Sequence, residues 1–272
     1  MKFFIILLLL SSNVLLYGQK ISGTVLEMNS DKPVEYVNIG VVGRNIGTVS
    51  DQNGKYTLEI KPEHHDDTLR FSCIGYHSYS VKVSDFISLD NWNISLEEKL
   101  YDLAEVVVRP KKIKQKTLGN TVRVKFAVVC AQDSINGFEL GALMQNKGRA
   151  FLKEVNFNIS VCSYDTIFYR INIYKAHDVK DMQFENILTN PIYITSIKED
   201  VKDKITIDFR HLNIVVDGDF LISIENVKNM GPGSLCYPIS LLHKSYLRQA
   251  SQGEWRTVPY GISLSVKVDV EK

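Results

Sequence analysis

Side chains able to do chemistry are sparse along this chain, and their spacing limits the chemistry open to them. A hydrolytic zinc site of the form His-x-x-Glu plus a distant His needs two imidazoles and a carboxylate around an ion whose fourth position stays open to water. None of His64, His65, His77, His177, His211 or His243 has Glu three residues later. His64-His65-Asp66-Asp67 is the densest run of ligand-type residues. Four consecutive residues in a turn do not converge easily on one metal, so the run reads as a polar loop and no metal site is assigned. Neither a G-x-S-x-G nucleophile elbow nor a G-x-x-x-x-G-K-[ST] phosphate loop is present. Gly231-Pro232-Gly233-Ser234 has the glycines of such a loop, but Pro232 removes a backbone donor and no Lys follows. Glu97-Glu98 and the Asp217, Asp219 pair read as exposed turn carboxylates, and Asp51-Gln52-Asn53-Gly54 as a hairpin turn lacking the rest of a calcium loop. These residues yield no catalytic group and no cofactor, and the expectation is a protein that is not an enzyme.

One segment has the makings of a ligand platform. Sugar sites stack an aromatic face on the ring and use nearby polar groups for its hydroxyls. Trp255, Arg256 and Tyr260, with Tyr246 and Arg248 just upstream, supply both kinds of group. The competing reading, which weighs more, is that Trp255 plugs a sheet edge and Arg256 pairs locally.

The elements that must position these residues are strands. The chain has 272 residues, 44% hydrophobic and 23% charged, with 13 Tyr and 12 Phe against 7 Pro, which is too apolar for disorder and long enough for two domains. Thirty-two Lys plus Arg face 31 Asp plus Glu. No overall field therefore draws the protein to nucleic acid or to an anionic membrane.

Lys2 followed by apolar residues from Phe3 to Leu10, then Ser11-Ser12-Asn13 and a second apolar stretch, is laid out as a signal peptide over residues 1–18. No later run approaches the ~20 apolar residues of a spanning helix, so the mature chain is expected to be exported without a transmembrane segment. Cys73, Cys130, Cys162 and Cys236 then lie in an oxidising compartment. Mostly free, buried thiols are favoured, with a pair among the last three as the alternative.

From residue 19 to 108, short alternating runs are separated by turn chemistry, as in an antiparallel sandwich. Ile21-Ser22-Gly23-Thr24-Val25, Lys32-Pro33-Val34, Tyr36-Val37-Asn38-Ile39, Gly47-Thr48-Val49-Ser50-Asp51, Asn53-Gly54-Lys55-Tyr56, Leu69 to Tyr76 and Leu103 to Val108 resemble, in order, the carboxypeptidase-regulatory-like domain. The resemblance implies a seven-stranded prealbumin-like β-sandwich, common in exported envelope proteins and TonB-dependent outer-membrane receptors of Gram-negative bacteria. It implies nothing about activity, because the module accompanies many functions.

The basic run from Arg109 to Lys116 reads as the core of a linker over 109–119. Residues 120–272 are too few for a receptor's plug and barrel, and read as a second, jelly-roll-like β-sandwich resembling the partner domain of envelope proteins of unknown function. Phe151 to Ile159 and Phe168 to Tyr174 alternate cleanly, which predicts one face in a core and the other in water. Asp67-Thr68-Leu69, Asp133-Ser134-Ile135 and Asp165-Thr166-Ile167 resemble a short O-glycosylation acceptor of some envelope proteins.

The sequence thus leads to an all-β, exported, non-enzymatic envelope protein, periplasmic, outer-membrane-associated or at the surface. It would bind a glycan or an envelope protein, or act as adhesin or scaffold. The alternatives are an accessory of a TonB-dependent transporter and a glycan or peptide hydrolase with a non-local site in the second sandwich.

Overall fold

The computed structural model describes residues 18–100, 113–124, 126–131 and 136–271. Residues 1–17 of the expected signal peptide, the Leu103 to Val108 segment and Asp133-Ser134-Ile135 lie outside the described residues.

Among the described residues the N-terminal region holds seven strands in two sheets. Gln19–Glu27 lies between Lys55–Ile60 and Ile94–Leu96, and the other sheet runs Gly47–Val49, Asn38–Val41, Thr68–Ser72, Tyr79–Lys82. The alternation read from sequence is physical: Tyr56, Leu58 and Ile60 are buried while Lys55, Thr57 and Glu59 face water. Ile21, Ile39, Leu69, Phe71 and Phe86 form the shared core. The Asp51 turn closes by its own carboxylate, whose Oδ1 accepts the amides of Asn53 (2.8 Å) and Lys55 (2.9 Å). Two expectations shift here. Val25–Glu27 pairs in parallel with Ile94–Leu96. The strand expected to reach Val83 ends at Lys82, and a helical turn, Val83–Ile87, carries Val83 and Phe86 into the core.

The C-terminal region is built on two facing sheets. One runs Gln183–Asn186, Thr166–Asp178, Phe220–Asn226, Glu139–Met144, Ser245–Arg248, Trp255–Val258, with Ile192–Ile197 also on Thr166–Asp178. The other runs Lys204–Asp208, Arg149–Asn158, Leu264–Glu271, Ile113–Gly119, with Val215–Asp217 on Arg149–Asn158. Ile171, Ile173, Ile222, Phe157, Val266 and Val268 meet between them. A smaller sheet of Val161–Cys162, Leu235–Ser240, Gly261–Ile262 and Val128–Ala131 completes this part.

Several sequence readings are corrected. Residues 113–119, expected in a solvated linker, form an edge strand on Leu264–Glu271. Leu118 packs on the core, while Lys114 and Lys116 stand opposite Val270 and Val268, the kind of charged edge that deters pairing with another sheet. The strand expected over Thr121 to Val129 is reduced to Val128–Ala131. Upstream, Asn120 takes the chain out of the ladder: its Nδ2 donates to the carbonyls of Gly261 (2.9 Å) and Ile262 (3.2 Å), and its Oδ1 accepts the Val122 amide (3.1 Å). Cys130 and Cys236, cross-strand partners, are joined in a disulfide, which replaces the expectation of mostly free thiols; Cys73 and Cys162 are free.

Candidate functional site

The polar face of Thr166–Asp178, expected in water, is buried. Arg170, Asn172 and Tyr174 project from it beneath the N-terminal domain together with Glu225, Ser223 and Glu139. The register lines up Arg170, Glu225, Glu139, Arg248 and Trp255 in one row across five strands. Two glutamates side by side would repel; an arginine at each end of the pair makes the row of four neutral.

The hydrogen bonds follow that order. Arg170 donates to Glu225 Oε2 from Nε (3.0 Å) and Nη2 (2.8 Å). The same guanidinium reaches the N-terminal domain, donating from Nη1 to the Tyr36 carbonyl (2.7 Å) and from Nη2 to Asn38 Oδ1. Asn172 Nδ2 bridges the two acids, 2.8 Å from Glu139 Oε1 and 2.7 Å from Glu225 Oε2. Glu139 also accepts from Tyr174 (2.9 Å), from Ser223 and from Arg248 Nη2 (2.5 Å). Burial pushes the Glu139 carboxyl up, and Arg248 opposes the shift. Arg170 and Arg248 are held above the ordinary guanidinium value by Glu225 and Glu139, which outweigh the burial that would lower them. Cys73 lies near this seam, and burial pushes its thiol up to about 11.

Close packing completes the junction. The Ser251 carbonyl sits where a side chain on Gly40 or Gly47 would have to go, 2.1 and 2.3 Å from the Cβ each would carry. Gln252 donates to Ser72 Oγ (2.7 Å) and accepts the Gly43 amide on its carbonyl (2.9 Å). Tyr36, at φ +53°, stacks among Phe168 and Tyr193 with centroids 5.2 and 5.4 Å away.

The five residues singled out from sequence are divided by this arrangement. Tyr246, Arg248 and Trp255 come together on the outer face of the seven-stranded sheet, where Trp255 meets Tyr174 and Phe184 edge-on (5.6 Å each) and Arg248 lies over its ring (5.0 Å). Tyr246 is buried against Phe184. Arg256 pairs opposite Leu247 on the other face, and Tyr260 follows the strand near Gly261. His64 and Arg44 both bond Asp67, at 2.9 and 3.1 Å, so the histidine run is a pinned surface loop. Among the described residues no group of three or more His, Cys, Asp or Glu is arranged to hold a metal. Thr68 and Thr166 are exposed at strand starts.

Sequence reasoning missed the one sizeable concavity. A groove of about 830 Å³ lies between the 187–192 loop and the 210–217 segment. Leu152, Leu188, Ile214 and Val216 line it, and Lys153, Lys175, Arg210 and Asp217 stand around them, an excess of positive charge. The arrangement suits a small ligand with an anionic group.

The seven strands in two sheets place the N-terminal region among small β-sandwich modules that carry no chemistry of their own. Residues 21–108 match the CarboxypepD_reg-like domain, a non-catalytic module of envelope-associated proteins. A TonB-dependent receptor, P3, of Formosa agariphila is 30% identical over 105 residues, which are 39% of this chain and 10% of the receptor. The chain thus spans about a tenth of the length of that curated relative. Among solved structures, the cysteine protease and lectin-like domains of Cwp84, a surface layer associated protein of Clostridium difficile, overlap with a TM-score of 0.37 and 10% identity, over 95% of this chain and 60% of that one. VP2 of infectious bursal disease virus overlaps with a TM-score of 0.20 and 9% identity, over 93% and 64%. At these scores neither overlap carries an argument.

Proposed function

We propose that this is an exported, non-enzymatic envelope protein whose C-terminal sandwich binds a glycan with an acidic group, the N-terminal domain serving as its rigid mount. The groove carries the reading: it combines apolar walls, three cations and one carboxylate at the open side of a sandwich. The buried row of charges supports the mount, because ionic groups bonded across a junction fix its geometry. Binding is measured on a glycan array and by titration, using the full chain, Lys175→Glu and Trp255→Ala. The expected result is acidic-glycan binding weakened at least about tenfold by Lys175→Glu alone. Loss in Trp255→Ala alone moves the site to the aromatic cluster, and turnover abolished by replacing one Asp or Glu overturns the non-enzymatic reading.

A second reading rests on the resemblance to the receptor P3. In it the protein is an accessory of a TonB-dependent transporter. Absence of glycan binding together with co-purification of an outer-membrane barrel would favour it.

A further inference from the structure

The structure points to a second surface, distinct from the groove. We propose that the end of the C-terminal sandwich away from the N-terminal domain is a membrane-contact tip, which seats Phe126, Leu241 and Leu242 in the acyl boundary of an anionic lipid bilayer.

Leu242 is 93% exposed, Phe126 90% and Leu241 80%. With half-exposed Val128 they are four of the twelve large exposed hydrophobics among the described residues, and they gather in one place. Val128 pairs with Pro238 and the Ile239 amide bonds the Ala127 carbonyl, which sets Phe126 beside Ser240, the residue before Leu241. Ser240 also pairs with Gly261, so Tyr260 lies at the same end, an aromatic residue of the type enriched where membrane meets water.

The tip is built, not frayed. Ser240 Oγ accepts the Leu242 amide (3.2 Å) and lies 3.2 Å from His243 Nδ1, fixing the turn that presents both leucines. The Cys130–Cys236 disulfide staples the strand leading from Phe126 to the strand leading into Leu241. A turn ordered in this way, with its apolar side chains pointing to water, lacks a partner.

Charge and shape select the partner. The three segments that meet here, residues 119–132, 226–253 and 255–268, contain no Asp or Glu, while Arg123 and Lys244 are exposed beside the leucines and Phe126. The formal balance of 32 against 31 therefore hides an end with cations and no carboxylates. Adjacent leucines on a turn form a narrow convex feature, too small for the ~800 Å² per partner of a stable protein interface. A fluid acyl layer demands no matching cavity and accepts such side chains directly, with cations at the headgroups. Strand Ser245–Arg248 runs from this turn to the Ser251 contact with the N-terminal domain, so the tip and the mount occupy opposite ends of that strand.

Co-sedimentation of the full chain with vesicles of phosphatidylcholine and phosphatidylglycerol (3:1), and with phosphatidylcholine alone, tests this. The full chain is expected to partition onto the mixed vesicles. Leu241→Ser with Leu242→Ser should lower that partitioning at least about tenfold, since two leucines no longer leave water. Lys244→Glu should remove the preference for phosphatidylglycerol. Melting temperatures are the control and should match the parent, because these side chains are already solvated. No binding to either vesicle, or equal binding by the double variant, overturns the proposal. So does a parent dimer, seen by light scattering, that the double variant converts to monomer without any vesicle binding. None of these outcomes touches the groove, which is read by glycan titration.

Discussion

The two ends of the C-terminal sandwich invert the usual distribution of polarity in opposite senses. Under the N-terminal domain, Arg170, Glu225 and Glu139 are out of water in a tightly bonded row. At the far end, Phe126, Leu241 and Leu242 stand in water with nothing over them. The first inversion is resolved inside the chain, because Tyr36 and Asn38 supply the bonds the solvent would have made. The second is left for something outside it. Composition alone therefore locates neither surface, and the neighbours a side chain meets decide what it is for.

Several experiments break or sharpen this contrast. Arg170→Met should cost about 3–5 kcal/mol of stability, because it leaves Glu225 charged and unpaired in the interior. Adding Glu225→Leu should recover most of that loss in denaturant titration; a single-variant cost under about 1 kcal/mol would show that the row does not hold the junction. Replacing Cys130 and Cys236 by Ser should cost about 2–4 kcal/mol and loosen the strand next to Phe126, read by hydrogen exchange. Gly40→Ala pushes against the Ser251 carbonyl and should cost about 1–3 kcal/mol, with new protease cleavage at residues 249–254. Cys73, its thiol pushed up to about 11, should alkylate slowly at pH 8 and faster as pH climbs toward that value.

The smallest effect is on the outer face of the five-stranded sheet. Glu154 accepts a hydrogen bond from Lys267 (3.0 Å), which holds its carboxyl below the usual 4.5. A depressed carboxyl contributes stability above its unfolded value, and the contribution is lost as pH falls through the folded one. Lys267→Met should therefore cost about 0.5 kcal/mol at pH 7 and nothing at pH 3, read from thermal unfolding.

The all-β class and the N-terminal sandwich are legible in the sequence, because Lys55–Ile60 and its neighbours alternate and turn where Asp51 and Gly54 say they must. Glu139–Met144 escaped notice because both of its faces are covered and no alternation survives. Lys114 and Lys116 read as linker because period-two patterning does not register a strand whose edge is charged. The alternation of Phe168 to Tyr174 was read correctly as a strand, yet its polar face was assigned to water. A polar face covered by another part of the chain has the same local text as one that is solvated. The ligand residues divide for the same reason: Arg248 and Trp255 share a face, whereas Arg256, the next residue, points to the other. The groove is made by loops distant in sequence, and nothing local announces it.

The pairing of Ile113–Gly119 with Leu264–Glu271 sets an order in time. Every strand of the N-terminal sandwich lies within residues 19–96, so that module can close as soon as it is synthesised. The C-terminal sandwich needs its earliest strand to wait for its latest, a search across most of its own length that folds slowly. While it waits, the Ile113–Gly119 strand has no ladder to join, and its lysines are then its protection against joining the wrong one.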